Sequence, residues 1–278
     1  MKDARLFIAG KWAEAPTQFP VLDKFSRREV ARAHVADKNL VDRAVSAAKT
    51  AFQSEISVPD RYNILSRAAV ILERRREEIV DVMVTETGFT VSDNVGDLAR
   101  CIQTLQTSAE EAKRLNGEIV PIDAAPGHAG EMAFTLRVPL GIVAAITPFN
   151  SPLNTVAHKV APAIAAGNAV VLKPASYTPL TACLFAEVLD EAGLPGGWLN
   201  IVHGPGSRTG RYLCENPDIR FFAFTGGGPA GEAIQHAAGL RRTQMELGNI
   251  SSTVDIAREY AGRKTVWCIV DLGDYVFE

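Results

Sequence analysis

The sequence of 278 residues has little cysteine and no concentration of charge of one sign. A formal net charge of −3 gives no reason to expect nucleic acid or an acidic membrane as a partner. The four cysteines are scattered and lack the spacing of a metal site, so we expect reduced thiols, no bound metal and a cytoplasmic protein. They are Cys101, Cys183, Cys214 and Cys268.

Long apolar runs are also missing. No uninterrupted run is long enough to span a bilayer, and the start of the chain leads into only four apolar residues, so no signal peptide is expected. The composition, 47% hydrophobic and 22% charged, is ordinary for a globular protein. At this length one large or two modest domains are expected.

The stretch 141–174 organises the rest of the chain. Residues 141–146 form an apolar run rich in β-branched side chains, typical of a strand buried on both faces, and Pro148 ends it. Apolar residues then fall at helical spacing over 153–166, and a second buried run covers 169–172. Strand, helix and strand in this order form a βαβ unit, which predicts a parallel sheet.

The alternation continues after Lys173, with glycine-rich turns after the third and fourth strands. The pattern predicts an α/β fold, a doubly wound parallel sheet of five strands that begins only at about residue 141. The further elements are a helix at 178–192, a strand at 199–202, a short helix to Cys214, a strand at 218–224, a helix at 229–238 and a strand at 243–247.

The first 117 residues read as short strands followed by amphipathic helices. A hairpin tip is predicted at 10–11, and Asp37 is predicted to cap a helix over 40–52. A longer helix is predicted from Pro59 to Gly88, and another over 93–115.

Residues 118–139 contain two candidate strands, 118–122 and 132–138, around a linker that holds His128, which is expected to be solvated. An isolated hairpin cannot bury a face alone, so it should pack on a partner subunit or on the chain itself.

Polar side chains follow two neighbouring strands of the predicted sheet. Asn150 and Lys173 each lie just past the carboxyl end of a strand, where open α/β sheets bind ligands. The alternative is that Asn150 caps the next helix and that Lys173 is solvated. Both interpretations stay open at this point.

Gly226, Gly228 and Gly231 match G-x-G-x-x-G between a strand and a helix, which suits a dinucleotide pyrophosphate. Glycine turns occur in any α/β protein, and this turn follows the fourth strand, whereas an ordinary Rossmann fingerprint follows the first. Gly204 and Gly206 form a second loop of the same kind.

Glu246 ends an apolar strand, where desolvation could raise its pKa and make it a general base. A helix cap or a salt bridge is the alternative. Tyr260 and Lys264 have the spacing of the Tyr/Lys pair of short-chain dehydrogenases. Those enzymes also need a glycine-rich loop after an N-terminal strand, which this chain lacks, so we treat the match as chance.

Taken together, five short segments make the chain resemble the N-terminal, cofactor-binding half of an aldehyde dehydrogenase. In order they are TPFN at 147–150, VLKPA at 171–175, EAGLP at 191–195, FTGG at 224–227 and ELG at 246–248. The resemblance covers about residues 5–254. It implies an N-terminal helical part at 1–117, a hairpin like the family's oligomerisation arm at 118–140, and an NAD(P)-binding Rossmann-like domain at 141–254.

The resemblance also implies roles for single residues. Asn150 would donate its amide to the oxyanion of the tetrahedral intermediate, and Glu246 would activate water. Lys173 would hydrogen-bond the adenosine ribose. Gly227 stands where many members carry a serine that touches the pyrophosphate, and Ser176 stands where NAD-preferring members often carry a glutamate. Without that carboxylate, NADP should be accepted as well as NAD. The implied cofactor-binding residues are Thr147, Pro148, Phe149, Lys173, Ala175, Ser176, Gly206, Gly210, Phe224, Thr225, Gly226, Gly227 and Leu247.

The family attacks its aldehyde with a cysteine in a Gly-Gln-x-Cys-like setting, and this sequence has no such segment. Residues 255–278 match nothing expected of the family, which suggests a frameshift or a truncation before the catalytic domain. Cys268 follows Glu246 too closely, and its apolar neighbours would raise the thiol pKa.

The family oxidises a small aldehyde to a carboxylic acid with NAD(P) and forms homo-oligomers. We expect this chain to be inactive alone, or to be a non-catalytic cofactor-binding module or partner subunit, or to be a misfolding-prone remnant with exposed apolar surface.

Overall fold

The computed structural model describes residues 3–248. The N-terminal part contains two β-hairpins followed by four helices. Its elements are β1 (Leu6–Ile8), β2 (Lys11–Ala13), β3 (Gln18–Leu22), β4 (Glu29–His34), α1 (Lys38–Phe52), α2 (Val58–Arg74), α3 (Arg76–Thr87) and α4 (Val91–Ala112).

A short hairpin leads from these helices into the alternating part. Its strands are β5 (Ile119–Val120) and β6 (Ala133–Phe134), and a turn of 3-10 helix at Ile122–Ala124 lies between them. The following elements are β7 (Ile142–Ile146), α5 (Asn154–Ala165), β8 (Ala169–Lys173), α6 (Pro179–Glu191), β9 (Leu199–Ile201), a π-helical turn at Gly206–Gly210, α7 (Arg211–Glu215), β10 (Ile219–Gly226), α8 (Gly228–Ala238) and β11 (Arg242–Leu247).

The central sheet has seven strands in the order β11-β10-β7-β8-β9-β1-β2. Strands β7 to β11 are parallel, which confirms the predicted α/β class and its doubly wound sheet. The prediction that the sheet begins at about residue 141 was wrong, because β1 pairs antiparallel with β9. The Asn200 side chain fixes this junction by accepting a hydrogen bond from Ala9 N at 2.9 Å.

The tip of the first hairpin is formed by Ala9 and Gly10, both with positive φ (54° and 76°), one residue earlier than predicted. A Cβ at Gly10 would lie 2.9 Å from the Gly196 backbone, so this turn is packed closely on the loop before β9. The hairpin therefore extends the parallel sheet instead of standing apart from it.

The single helix predicted from Pro59 to Gly88 is in fact two, because the chain breaks at Arg75. Hydrophobic periodicity does not predict this break, since apolar residues continue at helical spacing on both sides of it. The Arg75 guanidinium pairs with Glu78 at 2.8 Å and with Glu187 of α6 at 2.7 Å. On both sides of the break the helices pack against α4 and α6, and α2 makes the more extensive contact with α4.

The core lies around β7 and β8, in which every residue is buried. Phe185 of α6 and Phe222 of β10 are its largest fully buried side chains. By contrast, the β5–β6 hairpin leaves large apolar side chains exposed, and its paired strands span only two residues each instead of the predicted five and seven. The exposed side chains of this segment are Ile119, Val120, Met132, Phe134, Leu136 and Val138. Among the described residues, no helix is long and apolar enough to cross a membrane.

Asn168 joins the end of α5 to the start of β7. Its Oδ1 accepts hydrogen bonds from Leu140 N at 2.6 Å and Gly141 N at 3.0 Å, and its Nδ2 donates to Ala163 O at 3.3 Å. We expect Asn168→Ala to lower the free energy of unfolding by about 2 kcal/mol, because it leaves a buried N–H without an acceptor. Urea unfolding measures this effect. The exposed Asn116→Ala is the control, and equal stability of the two variants would contradict the interpretation.

Candidate functional site

The carboxyl ends of the parallel strands meet along one edge of the sheet. The strand register places Ile146 beside Lys173, and Thr225 beside Glu246. The loops that leave this edge carry most of the residues that the sequence singled out. This edge is therefore the candidate site, as expected for a doubly wound sheet.

The loop after β7 is held by a side chain from the N-terminal helices. Asp97 of α4 accepts a hydrogen bond from the Ser151 hydroxyl, and its other oxygen accepts from Leu153 N at 3.2 Å and Asn154 N at 3.3 Å. Asp97 thus caps α5, so the alternative in which Asn150 caps this helix is wrong. Asn150 is exposed in the bend just before Ser151.

The helix after β8 is capped in the same way. Glu86, the buried penultimate residue of α3, accepts hydrogen bonds from Leu180 N at 2.7 Å, from Thr181 N at 2.8 Å and from the Thr181 hydroxyl at 2.7 Å. Burial raises the pKa of Glu86 to about 7, although these donors and the Lys24 ammonium act in the opposite direction. The N-termini of α5 and α6 are therefore both occupied by carboxylates from distant parts of the chain.

Lys173 is buried at the end of β8, so the alternative in which it is solvated is wrong. Its ammonium donates to Pro174 O at 3.2 Å, and burial lowers its pKa to about 8. A Cβ at Gly210 would lie 3.5 Å from the Lys173 side chain, so Gly210 packs directly on it. Ser176 donates to Gly204 O at 3.3 Å, which joins the loop after β8 to the loop after β9.

The glycine-rich turn after β10 opens α8. Gly226 is the last residue of β10, and Gly227 is the N-cap of α8, which no side chain caps within residues 3–248. A Cβ at Gly231 would lie 2.4 Å from a terminal methyl group of Leu247, so α8 packs closely on the Leu247 side chain of β11. Free N–H groups at a helix start suit an anion, in contrast to the carboxylate-capped α5 and α6.

Thr225, Gln244 and Lys159 approach the carboxylate of Glu246, whose side chain is 46% exposed. Thr225 Oγ1 donates to Oε2 at 2.7 Å, and Lys159 Nζ lies 2.9 Å from Oε1. Partial burial alone would raise the pKa of Glu246, but the hydrogen bond from Thr225 and the charge of Lys159 lower it below its usual value. The prediction of a raised pKa was therefore wrong, and the salt-bridge alternative is confirmed.

Other predicted site residues line the same edge. Thr147 is buried, and its hydroxyl has no hydrogen-bond partner in the described part of the chain. The ring of Phe149 meets that of Tyr177 edge-on, with centroids 5.6 Å apart. Gly206 is exposed at the start of the π-helical turn. Of the remaining predicted residues, Pro148 and Ala175 are partly exposed, and Phe224 is buried.

Sequence reasoning missed several residues that shape this edge. Lys159, Asp97 and Glu86 lie on helices that were interpreted as purely structural or apolar, and Tyr177 was passed over. The one local signal was a charged residue on the apolar face of a helix, at Lys159 in α5, where its side chain is fully buried. Tyr260, Lys264 and Cys268, together with the rest of 255–278, lie outside the described residues.

No group of three or more His, Cys, Asp or Glu side chains in residues 3–248 could hold a metal ion. What the edge does offer is an uncapped helix start, an unpartnered hydroxyl at Thr147 and the ammonium of Lys173. These donors fit an anionic nucleotide better than a cation.

Comparison with known proteins agrees with this geometry. The model of the aldehyde dehydrogenase family matches residues 12–257. The chain therefore belongs to the aldehyde dehydrogenase family.

Among curated relatives, a 3-sulfolactaldehyde dehydrogenase of Priestia aryabhattai is 46% identical over 254 residues, which is 91% of this chain and 53% of that protein. An NADP-dependent glyceraldehyde-3-phosphate dehydrogenase of Streptococcus equinus is 33% identical over 91% of this chain and 54% of its own length. The chain thus spans about half the length of these relatives.

Solved structures show the same fold. The NADP-dependent glyceraldehyde-3-phosphate dehydrogenase of Bacillus halodurans C-125, complexed with NADP, superimposes with a TM-score of 0.88 at 31% identity, covering 97% of this chain and 60% of that one. An aldehyde dehydrogenase from Burkholderia cenocepacia gives a TM-score of 0.84 at 33% identity, covering 88% and 50%.

The ion pair between Lys159 and Glu246 makes a direct prediction. Lys159→Met removes the buried positive charge, so the pKa of Glu246 should rise above its value in the unchanged protein. Carbon-13 NMR titration of the glutamate carboxyl groups measures it. Gln244→Ala, which removes the uncharged donor 3.2 Å from the same oxygen, is the control and should change the pKa less. An unchanged pKa in Lys159→Met would contradict the assignment.

Proposed function

We propose that this chain binds NADP or NAD along the carboxyl edge of its sheet and carries the cofactor-binding half of an oxidoreductase that converts an aldehyde to a carboxylic acid. The observation that carries the proposal is the start of α8. Gly226, Gly227 and Gly228 leave its N–H groups free of side-chain caps, whereas α5 and α6 are capped by carboxylates. A pyrophosphate is the anion that suits such a helix start.

The other cofactor contacts follow from the loops of the same edge. Lys173 would hold the adenosine ribose through its ammonium, with Gly210 packed against its stem. Ser176 stands close to this lysine in sequence and brings no negative charge, which supports acceptance of a 2′-phosphate. When bound, the nicotinamide supplies the acceptor for a hydride.

For the substrate, Asn150 would donate its amide to the aldehyde oxygen as negative charge develops there. Its exposure at the end of β7 leaves this amide open to a ligand. Glu246, whose pKa is lowered, is a carboxylate at neutral pH and would accept a proton from water.

The described residues supply no reactive thiol to attack the aldehyde. Cys101, Cys183 and Cys214 are buried free thiols, and desolvation raises the pKa of each. A thiol in such surroundings stays protonated and unreactive. We therefore propose that the 278-residue chain binds cofactor without oxidising aldehyde alone. Its alternative role is a cofactor-binding module or partner subunit of another polypeptide.

The same proposal includes a cytoplasmic location and contact with a second copy of the chain. Free thiols fit a reducing, cytoplasmic setting. The apolar side chains exposed on the β5–β6 hairpin fit contact with a second copy, as in the oligomerisation arm of the family. We retain the division into a helical part at 1–117, the arm at 118–140, the NAD(P)-binding domain at 141–254 and an unmatched tail.

Titration of the purified chain with NADP and with NAD tests cofactor binding, and incubation with propanal tests turnover. We expect binding of both nucleotides without production of NADPH or NADH. Lys173→Met should weaken binding by about tenfold or more, because it removes a charged hydrogen-bond donor. Lys49→Met, on the outer face of α1 in an exposed ion pair with Asp218, is the control. Turnover would overturn the nucleophile argument, and no binding would overturn the proposal.

The lowered pKa of Lys173 predicts a pH dependence. Below about pH 8 its side chain is an ammonium, and above that pH it is neutral, so its attraction for a phosphate is lost as the pH rises. The affinity for NADP should therefore fall between pH 7 and pH 9 more than the affinity for NAD. Calorimetric titration at several pH values measures both affinities. A parallel pH profile for Lys173→Met would rule out this lysine as the titrating group.

A further inference from the structure

The start of α6 has no side-chain cap from its own loop, although Thr178 N donates to Ala175 O at 3.3 Å within that loop. Thr178, the N-cap residue of α6, makes no capping hydrogen bond, although threonine is a good cap. The N–H groups of Leu180 and Thr181 are instead satisfied by Glu86, a residue 94 positions before Leu180. A local cap would satisfy the same groups without burying a carboxylate, which is costly.

A second contact ties the same loop to the end of α3. Lys24, in the β3–β4 turn, places its ammonium 4.6 Å from the centre of the Tyr177 ring. Its backbone N–H donates to Thr85 O at 3.0 Å, directly before Glu86. The charges of Lys24 and Glu86 also act on each other. The loop is thus attached to α3 both at the start of α6 and through the aromatic ring.

The Tyr177 ring extends this connection to the neighbouring strand. Its edge-to-face contact with Phe149 links the loop after β8 to the loop after β7. Ser176 in turn donates to Gly204 O after β9. The segment 175–178 therefore contacts the loops on both sides of it along the candidate edge, and α6, which follows it directly, is capped by Glu86.

We propose that Glu86 is a positioning residue that fixes the conformation of the Ser176–Tyr177 segment from the N-terminal helical layer, and thereby sets how strongly the edge discriminates a 2′-phosphorylated nucleotide from an unphosphorylated one. The second half of this statement depends on the proposed cofactor function, whereas the first half does not. Glu86 itself is buried at the start of α6 and acts through that helix.

The test compares Glu86→Gln with the unchanged chain. Glutamine keeps the volume, but it replaces one acceptor oxygen with an amide that faces donors, so the α6 cap is broken. Hydrogen exchange followed by mass spectrometry should show exchange of amides in 175–182 that is faster by about tenfold or more. The ratio of NADP affinity to NAD affinity should fall at least about threefold, because Ser176 is no longer held in place.

Two further variants separate positioning from general destabilisation. Ser57→Ala removes the cap of α2 at the opposite edge of the sheet, where Arg61 of this helix reaches Ala165 O at 2.8 Å. It should lower the free energy of unfolding without changing amide exchange in 175–182 or the ratio of NADP affinity to NAD affinity. Lys24→Met leaves Glu86 in place but removes the cation over Tyr177. It should therefore speed amide exchange in 175–182 and lower the ratio of NADP affinity to NAD affinity, as Glu86→Gln does. This variant tests the proposal if Glu86→Gln does not fold.

Unchanged exchange at 175–182 in Glu86→Gln and in Lys24→Met would overturn the proposal. So would an equal loss of affinity for NADP and NAD, because general destabilisation predicts that result. If the unchanged chain binds neither nucleotide, the proposed cofactor function fails, and the exchange data alone decide whether Glu86 fixes the segment.

Discussion

The positive ends of the helices that follow the parallel strands all face one edge of the sheet, and the rest of the structure depends on what satisfies them. A helix start leaves N–H groups without partners, and a buried one needs an acceptor. Asp97 supplies that acceptor for α5, and Glu86 supplies it for α6. Both come from the helical layer built by the first half of the chain. At α8, no described side chain takes this place.

This arrangement explains why the N-terminal helices are more than a cover for the sheet. Two of them, α3 and α4, each place one carboxylate at the start of a helix of the alternating part, and Asp97 of α4 also holds Ser151 beside Asn150. The loops with candidate ligand contacts are thus supported by α3 and α4. A rigid support of this kind is what a binding loop needs to keep its geometry.

Local patterns predicted the elements that depend on local physics. Continuous apolar runs identified β7 and β8, and glycine with helical spacing identified the ends of α5 and α6. The same patterns could not predict the break at Arg75, whose partner Glu187 lies 112 residues away, or the pairing of the first hairpin with β9. These patterns also missed Asp97 and Glu86. A carboxylate on an amphipathic helix is expected to be solvated, and the N–H groups that it accepts from lie far away in the sequence.

The pKa of Glu246 is shifted in the direction opposite to the one that its sequence neighbours predict. Partial burial does desolvate it, and desolvation alone raises the pKa of a carboxyl. Lys159, 87 positions earlier and itself fully buried, reverses this effect by placing a positive charge 2.9 Å away. An opposite charge at this distance favours the carboxylate form of Glu246, whose side chain is 46% exposed. The candidate edge therefore holds a carboxylate that stays deprotonated, an ammonium at Lys173 and a free helix start. These groups suit an anionic ligand, whereas the thiols of Cys101, Cys183 and Cys214 are buried.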